Sequence, residues 1–383
     1  MAAPLDGVGK TLNPAAPTGW VWYEIANTTC RDGSPAGFFV HTGTAGTGLL
    51  WYLEGGGACI NSDFCTNFNP ADVNHVLSGD GQTVAGSVFG VTNLRQQPGV
   101  FENGTMHGIF DLSNTANPFK DWSMIYTPYC TGDAWFGSQK NGTAPGLAAK
   151  QQFTGYLNMR EFVSHVVPTF KDKVTHVILT GASAGGFGAA LNFSMVQDAF
   201  GCIPVDVIDD SGPPFSDTYM PACMQQKWRT IWGLNASLPP DCTNCFASNG
   251  GGLIHLADFL LKKHPNAKVA LISSMQDEVI RLFYSPGLAN CANFDTVTAG
   301  GIVLGQGNPQ VYMVAADYTS GLTELRSLYD TTGRFASYYL GGSNITFHQH
   351  IWRQRFYDAS AGTETIAAFT GHFLGGTMDR IGP

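Results

Sequence analysis

The stretch VTHVILTGASAGGFGAALN, residues 174 to 192, constrains this chain more than any other. Val174, Val177, Ile178 and Leu179 are β-branched or apolar and predict a buried strand. The run breaks at Gly181 and resumes as a small-residue segment that suits a helix. Between them lies Gly181-Ala182-Ser183-Ala184-Gly185, a match to G-x-S-x-G, which sets a serine on a tight strand-to-helix turn with its hydroxyl above the sheet edge. Glycine is needed where neighbouring backbone passes too close for a Cβ, and a helix N-terminus favours developing negative charge. With 47 glycines in 383 residues, chance matches to such a pattern are cheap. The strand before and the helix after turn the match into a prediction: Ser183 is a nucleophile.

Composition limits the setting in which that serine works. A chain this long buries a large core. Charged residues are 13%, against the ~25% usual for soluble domains, so Asn, Thr, Ser, Gln and Gly supply much of the polar surface. A net charge of −9 argues against nucleic acid or an anionic membrane as partner. No apolar run approaches the ~20 residues of a transmembrane helix. The start, MAAPLDGVGK, lacks the basic and apolar regions of a signal peptide. Nine cysteines include the short spacings Cys59/Cys65 and Cys242/Cys245. Zinc lacks a second matching pair and a paired-histidine spacing, so disulfides and an oxidising, extracellular setting are expected. The odd count leaves at least one thiol unpaired within the chain.

Residues 36 to 54 read as a hairpin, and 122 to 127 (WSMIYT) as a strand. TGYLNMREFVSHVVPTF, residues 154 to 170, reads as an amphipathic helix ending at Pro168. Strands are predicted at 205–208, 268–272 and 335–340, with a helix over 253–263. The alternation implies one α/β domain over residues 1–383, a mainly parallel sheet with helices on both faces. Residues 213–252, rich in Pro, Cys and Trp, read as a cap-like insertion over one end of that sheet.

A serine hydroxyl needs a base to take its proton and a carboxylate to orient that base, and in α/β-hydrolases these follow in the order Ser, acid, His. Asp277, after the strand KVALIS, stands where the acid belongs; Glu278 and Asp317 are its rivals. His348 and His350 lie just beyond the strand at 335–340, where the histidine belongs, ahead of His255, His264 and His372. Ala184 and the glycines of Leu53-Glu54-Gly55-Gly56-Gly57 are candidate sources of oxyanion N–H donors. Tyr129, Trp135 and Phe136 are candidates to line a substrate cleft, with a place in the core as the alternative.

Several segments together resemble the pectin acetylesterase/Notum family of carboxylesterases. They are Cys30-Arg31-Asp32-Gly33-Ser34-Pro35-Ala36-Gly37, Leu53 to Gly57 with Cys59 and Cys65, and Pro128 to Asp133 running on to Trp135. Gly181 to Gly186, Asp210-Ser211-Gly212 and Gln276-Asp277-Glu278 continue the series in order. The resemblance implies an α/β-hydrolase fold and a secreted, disulfide-rich enzyme that hydrolyses carboxylic esters without a metal or other cofactor. It implies Ser183 as nucleophile, Asp277 as acid and backbone N–H donors at Gly56, Gly57 and Ala184. For the base it favours His348, because the spacing to Arg353 and Phe356 fits the family better than that of His350. The chain departs from the family at two positions. Plant pectin acetylesterases have a tryptophan where this chain has Ala58, and Notum has one at the position of Gly57.

The expectation is therefore ester hydrolysis through an acyl-enzyme, first on acetylated polysaccharide, with Tyr129 and Trp135 as substrate contacts. A broader carboxylesterase acting on longer acyl, aryl or polymeric esters is the alternative within hydrolases. A secreted, non-catalytic binding protein is the alternative outside them.

Overall fold

The computed structural model describes residues 12, 19–44, 47–67, 106–303 and 312–383. The start of the chain, on which the signal-peptide reading rests, lies outside the described residues.

The strands are β1 (Trp20–Glu24), β2 (Gly37–His41), β3 (Gly48–Leu53), β4 (Ser123–Thr127), β5 (Gln139–Gly142), β6 (Gln151–Phe153) and β7 (His176–Ala182). They continue as β8 (Val205–Asp210), β9 (Val269–Ser274), β10 (Phe335–Leu340), β11 (Ser360–Ala361), β12 (Glu364–Thr365) and β13 (Arg380–Ile381). The helices are α1 (Ser62–Asn67), α2 (Gly155–Phe170), α3 (Ala184–Phe200), α4 (Ala222–Trp232) and α5 (His255–Lys263). After them come α6 (Glu278–Tyr284), α7 (Ala299–Val303), α8 (Ala315–Asp330), α9 (Arg355–Asp358) and α10 (Ile366–Leu374).

A nine-stranded sheet runs β1-β2-β4-β3-β7-β8-β9-β10-β13, and β5/β6 and β11/β12 are small separate ribbons. From β4 through β13 every neighbouring pair is parallel, and β2 alone runs against the strands beside it. The expected hairpin over residues 36–54 does not form: β4 lies between β2 and β3. Both strands are too apolar to sit at an edge, and inserting β4 buries β2 and β3 almost completely.

Successive strand residues point to opposite faces. Leu49, Trp51, Leu53, Val177 and Leu179 pack with Phe162, Val166 and Phe193 of α2 and α3 on one side. Leu50, Tyr52, Ile178 and Tyr338 pack with Phe369 and Phe373 of α10 on the other. Helix α2 continues past Pro168 to Phe170. Pro168 removes one N–H from the last turn, yet Lys171 N–H still reaches Val167 O at 2.8 Å. Helix α8 has no counterpart among the predicted elements, and it carries Asp317 on an exposed first turn.

The disulfides are Cys30–Cys130, Cys59–Cys65, Cys223–Cys291 and Cys242–Cys245. Two of them are the short-range bridges the spacing predicts, and Cys202 is the unpaired, exposed thiol. Among the described residues no helix is long and apolar enough to cross a membrane.

The centre of the sheet depends on bare backbone. A Cβ on Gly185 would stand 1.9 Å from the carbonyl oxygen of Leu53, with no flexible side chain to give way. Gly185→Ala is expected to lower the melting temperature sharply or prevent soluble expression. A Cβ added to Gly371, within α10, would meet nothing within 4 Å, so Gly371→Ala should raise stability by about 0.5–1 kcal/mol. Thermal unfolding of the two variants checks both signs.

Candidate active site

Loops at the carboxyl ends of three parallel strands, β7, β9 and β10, build the site. The first follows β7. Ser183 is buried, with φ 59° and ψ −123°, a region L-residues rarely adopt. Its N–H donates to the carbonyl of Asp210 at 2.7 Å, and its own carbonyl accepts from Phe187 N–H at 3.1 Å. The strain is held on both sides by α3 and β8. Ala184 opens α3, so its N–H has no partner within the helix.

The second loop follows β9. Asp277 is fully buried and divides its oxygens between two tasks. Oδ1 accepts from Val279 N–H at 2.9 Å and Ile280 N–H at 3.0 Å, capping α6. Oδ2 lies 2.7 Å from Nδ1 of His348. The helix cap and the acid expected from the sequence are thus the same residue. Of its rivals, Glu278 is exposed beside it and Asp317 is exposed on α8.

The third loop follows β10. Because a carboxylate only accepts, Nδ1 of His348 must carry the hydrogen, which leaves Nε2 as the acceptor. Nε2 is buried and has no hydrogen-bond partner among the described residues. In this state the Ser183 hydroxyl is not yet bonded to it, a looseness usual before substrate binds. The serine and histidine loops converge over Gly55. A Cβ there would meet Ser183 Cβ and Gln349 Nε2, each at 2.9 Å.

His350 is separated from that role. It is fully buried, and its Nε2 lies 3.3 Å from Ser274 Oγ. Burial, followed by the charges of Arg355, His348 and Arg353, pushes its imidazole well below the ordinary range, so it stays neutral.

An apolar pocket opens at Ser183. Gly57 and Ala184 line it beside the serine, and Ile60, Phe136, Phe187, Trp228, Trp232 and Phe283 form much of its wall. Gly57 has φ 77°, a left-handed conformation suited to glycine, whereas Gly56 is buried and is not part of this lining. Ala58 also lines the pocket, so both positions lacking the family tryptophans face its interior.

Tyr129 and Trp135, expected as substrate contacts, lie behind the wall instead. The Tyr129 hydroxyl accepts from Ala134 N–H at 2.7 Å, and Trp135 Nε1 donates to Glu54 O at 2.9 Å. Both rings are core residues that brace the turn carrying Ala134 and Phe136. Sequence reading missed Trp228 and Trp232. Their four-residue spacing on α4 was the available signal, and the rings stack at 5.3 Å. Trp232 Nε1 donates to Cys59 O at 2.9 Å, tying the 213–252 excursion to the glycine loop.

Among the described residues, Glu364, His372 and Asp379 bring potential metal-ligand atoms within 4.8 Å of one another. They lie by the β13 edge, where His372 Nδ1 is paired with both carboxylates at 2.9 and 3.1 Å.

A parallel sheet with a strained serine after one strand, and an acid and a histidine after two later ones, defines an α/β-hydrolase fold. The Wnt deacylase Notum from Drosophila shares it. One crystal form superposes with a TM-score of 0.60 over 95% of each chain at 17% identity. The pectinacetylesterase family matches residues 21–251, and the chain belongs to that family, whose members are carboxylesterases. Among curated relatives, the palmitoleoyl-protein carboxylesterase notum1' of Xenopus laevis is 28% identical over 205 residues, 53% of this chain and 37% of that protein. The corresponding NOTUM of Drosophila melanogaster is 26% identical over 240 residues, 58% of this chain and 32% of that protein. The matched stretch therefore spans about a third of the length of these relatives.

The two duties of Asp277 are separable. Asparagine caps helices about as well as aspartate, so Asp277→Asn should keep nearly all of the stability. Asp277→Ala should lose about 0.5–2 kcal/mol from the cap, and more from a buried imidazole N–H left without an acceptor. Chemical denaturation of the two variants side by side measures the difference.

Proposed function

We propose that this chain is a secreted serine carboxylesterase. Ser183 Oγ attacks the ester carbonyl carbon while its proton passes to Nε2 of His348. Asp277 holds the imidazole in the required tautomer and balances the positive charge it gains. The N–H groups of Gly56, Gly57 and Ala184 are the proposed oxyanion donors. Collapse of the tetrahedral intermediate expels the alcohol, which takes the proton from His348. Water then enters, gives its proton to the same nitrogen, and releases the acid from Ser183. The observation that carries this reading is the Asp277–His348 pair at 2.7 Å, with Nε2 unpartnered among the described residues, on a loop that meets the turn of the strained serine over Gly55. Four disulfides support a secreted protein.

The acyl group is proposed to occupy the apolar pocket, with residues 213–252 as its cap. The wall of this pocket is made largely of Ile60, Phe136, Phe187, Trp228, Trp232 and Phe283, apolar side chains that gain from covering acyl methylenes. The pocket therefore favours longer aliphatic or aryl acyl esters over acetate. Family membership supports the second reading, deacetylation of polysaccharide. Behind the pocket lies another apolar cavity, and Phe136, Phe187 and Trp228 line both. These three side chains form a partition that limits acyl length.

Hydrolysis of p-nitrophenyl acetate, butyrate and octanoate should rise with chain length, because each buried methylene contributes up to about 0.8 kcal/mol. Acetate release from acetylated pectin, measured beside them, tests the second reading: strong preference for that substrate would displace the first. Ser183→Ala should lose roughly 10⁴–10⁶-fold in kcat on every ester hydrolysed. If activity persists in that variant, the serine mechanism is wrong.

Trp228→Ala should open the partition. The expected outcome is a shift of the chain-length optimum by several carbons, read from kcat/KM across the ester series.

A further inference from the structure

The carboxylate of Asp210 takes no step in the proposed mechanism, yet Asp210 joins the turn that carries Ser183 to the loop that carries His348. It ends β8, which lies between β7, the strand leading to Ser183, and β9, the strand leading to Asp277. Its backbone carbonyl accepts the Ser183 N–H at 2.7 Å. Its side chain reaches the other way, toward the histidine loop. Oδ2 accepts from His350 N–H at 2.6 Å and from Ile351 N–H at 2.9 Å. Oδ1 accepts from the Ser211 hydroxyl at 2.9 Å, and the Ser211 oxygen accepts from Gln349 N–H at 3.1 Å. The Ser211 N–H is anchored to Ile272 O of β9 at 2.8 Å.

Three consecutive amides, those of residues 349 to 351, therefore close on one carboxylate–hydroxyl pair directly after His348. Successive N–H groups turned inward around a left-handed residue form an anion-binding nest. Gln349, at φ 61°, is that residue, and Ser211, at φ 60°, is left-handed on the facing side. Neither is glycine, so both backbones are held in place by the bonds they make. The anion in this nest is a side chain of the protein, and it is fully buried.

We propose that Asp210 is a positioning residue: its carboxylate clamps the loop bearing His348 while its carbonyl clamps Ser183, fixing base against nucleophile. This rests on the serine-esterase reading above. Burial pushes the Asp210 carboxyl up to about 6, against the pull of the His350 and Ile351 amides, so the fold holds this group where its ionised form is disfavoured. The nearby His348 is among the influences that draw it back down, as expected if the two face one another.

The test is a double-mutant cycle on the full-length protein. Asp210→Asn keeps the shape and one acceptor oxygen but removes the charge, and Ser211→Ala removes the acceptor for Gln349 and the donor to Asp210 Oδ1 while leaving the His350 and Ile351 bonds in place. With p-nitrophenyl butyrate, Asp210→Asn should lower kcat by about 10–100-fold with KM within about twofold. Ser211→Ala should give a smaller fall in kcat of the same kind. In a His348→Ala background, Asp210→Asn should cause no further loss, because its effect passes through the imidazole. A structural role alone would lower both backgrounds equally, raise KM or reduce the folded fraction, so thermal unfolding is recorded for each variant. Wild-type kcat in Asp210→Asn, or equal losses with and without His348, would overturn the clamp and spare the esterase reading. An unchanged kcat in His348→Ala would overturn both.

Discussion

The structure depends on one close approach of backbone to backbone. The carbonyl of Leu53, at the end of β3, stands where a Cβ of Gly185 would be 1.9 Å away, and it also crowds Gly181 at 2.5 Å. Packing without side chains brings the glycine loop after β3 directly against the turn that carries Ser183. Gly57 reaches the pocket from one side and Ala184 from the other. Gly55 is pinned by the same logic, since a side chain there would strike Ala182 O at 2.2 Å.

Around this contact the site is distributed over loops that have no other reason to meet. Asp277 belongs to both α6 and the histidine, so moving the helix would move the acid. Asp210 belongs to both the serine turn and the histidine loop. Each buried carboxylate accepts several N–H or O–H bonds, which is what makes its desolvation tolerable. The 213–252 excursion is joined to the same frame by Trp232, whose indole donates to Cys59 O at 2.9 Å, and by the Cys223–Cys291 bridge. The wall of the pocket is thus continuous with the loop that carries Gly56 and Gly57.

The absence of tryptophan at Gly57 and Ala58 has a counterpart on the cap. Trp228 and Trp232 fill space from α4 where bulk is missing from the glycine loop. The Nε1 of Trp228 is buried without a hydrogen-bond partner among the described residues, an unusual state for an indole.

Much of the centre was legible in the sequence because it is local. Apolar runs mark β7 to β10, since strands covered on both faces are mostly apolar, although β8 also buries Asp206, Asp209 and Asp210. G-x-S-x-G encodes its own turn, and the order of Ser183, Asp277 and His348 follows from where loops leave a parallel sheet. The peripheral strands were not legible, because a Gly/Thr-rich link between two apolar runs looks the same whether the runs pair or admit β4 between them. Nor were the places of Tyr129 and Trp135, because an aromatic beside a strand end reads alike as wall or as core. Only the Ala134 N–H and Glu54 carbonyl, which their polar tips bind, decide for core. By itself the sequence determined the fold family and the order of the chemistry, since both are written in short-range patterns. The tertiary structure alone brought His348, which the family spacing already favoured, to 2.7 Å from Asp277 and put Trp228 in the pocket wall. It also joined Asp210 to the histidine loop, because hydrogen bonds and packing between residues far apart in the chain leave no local mark.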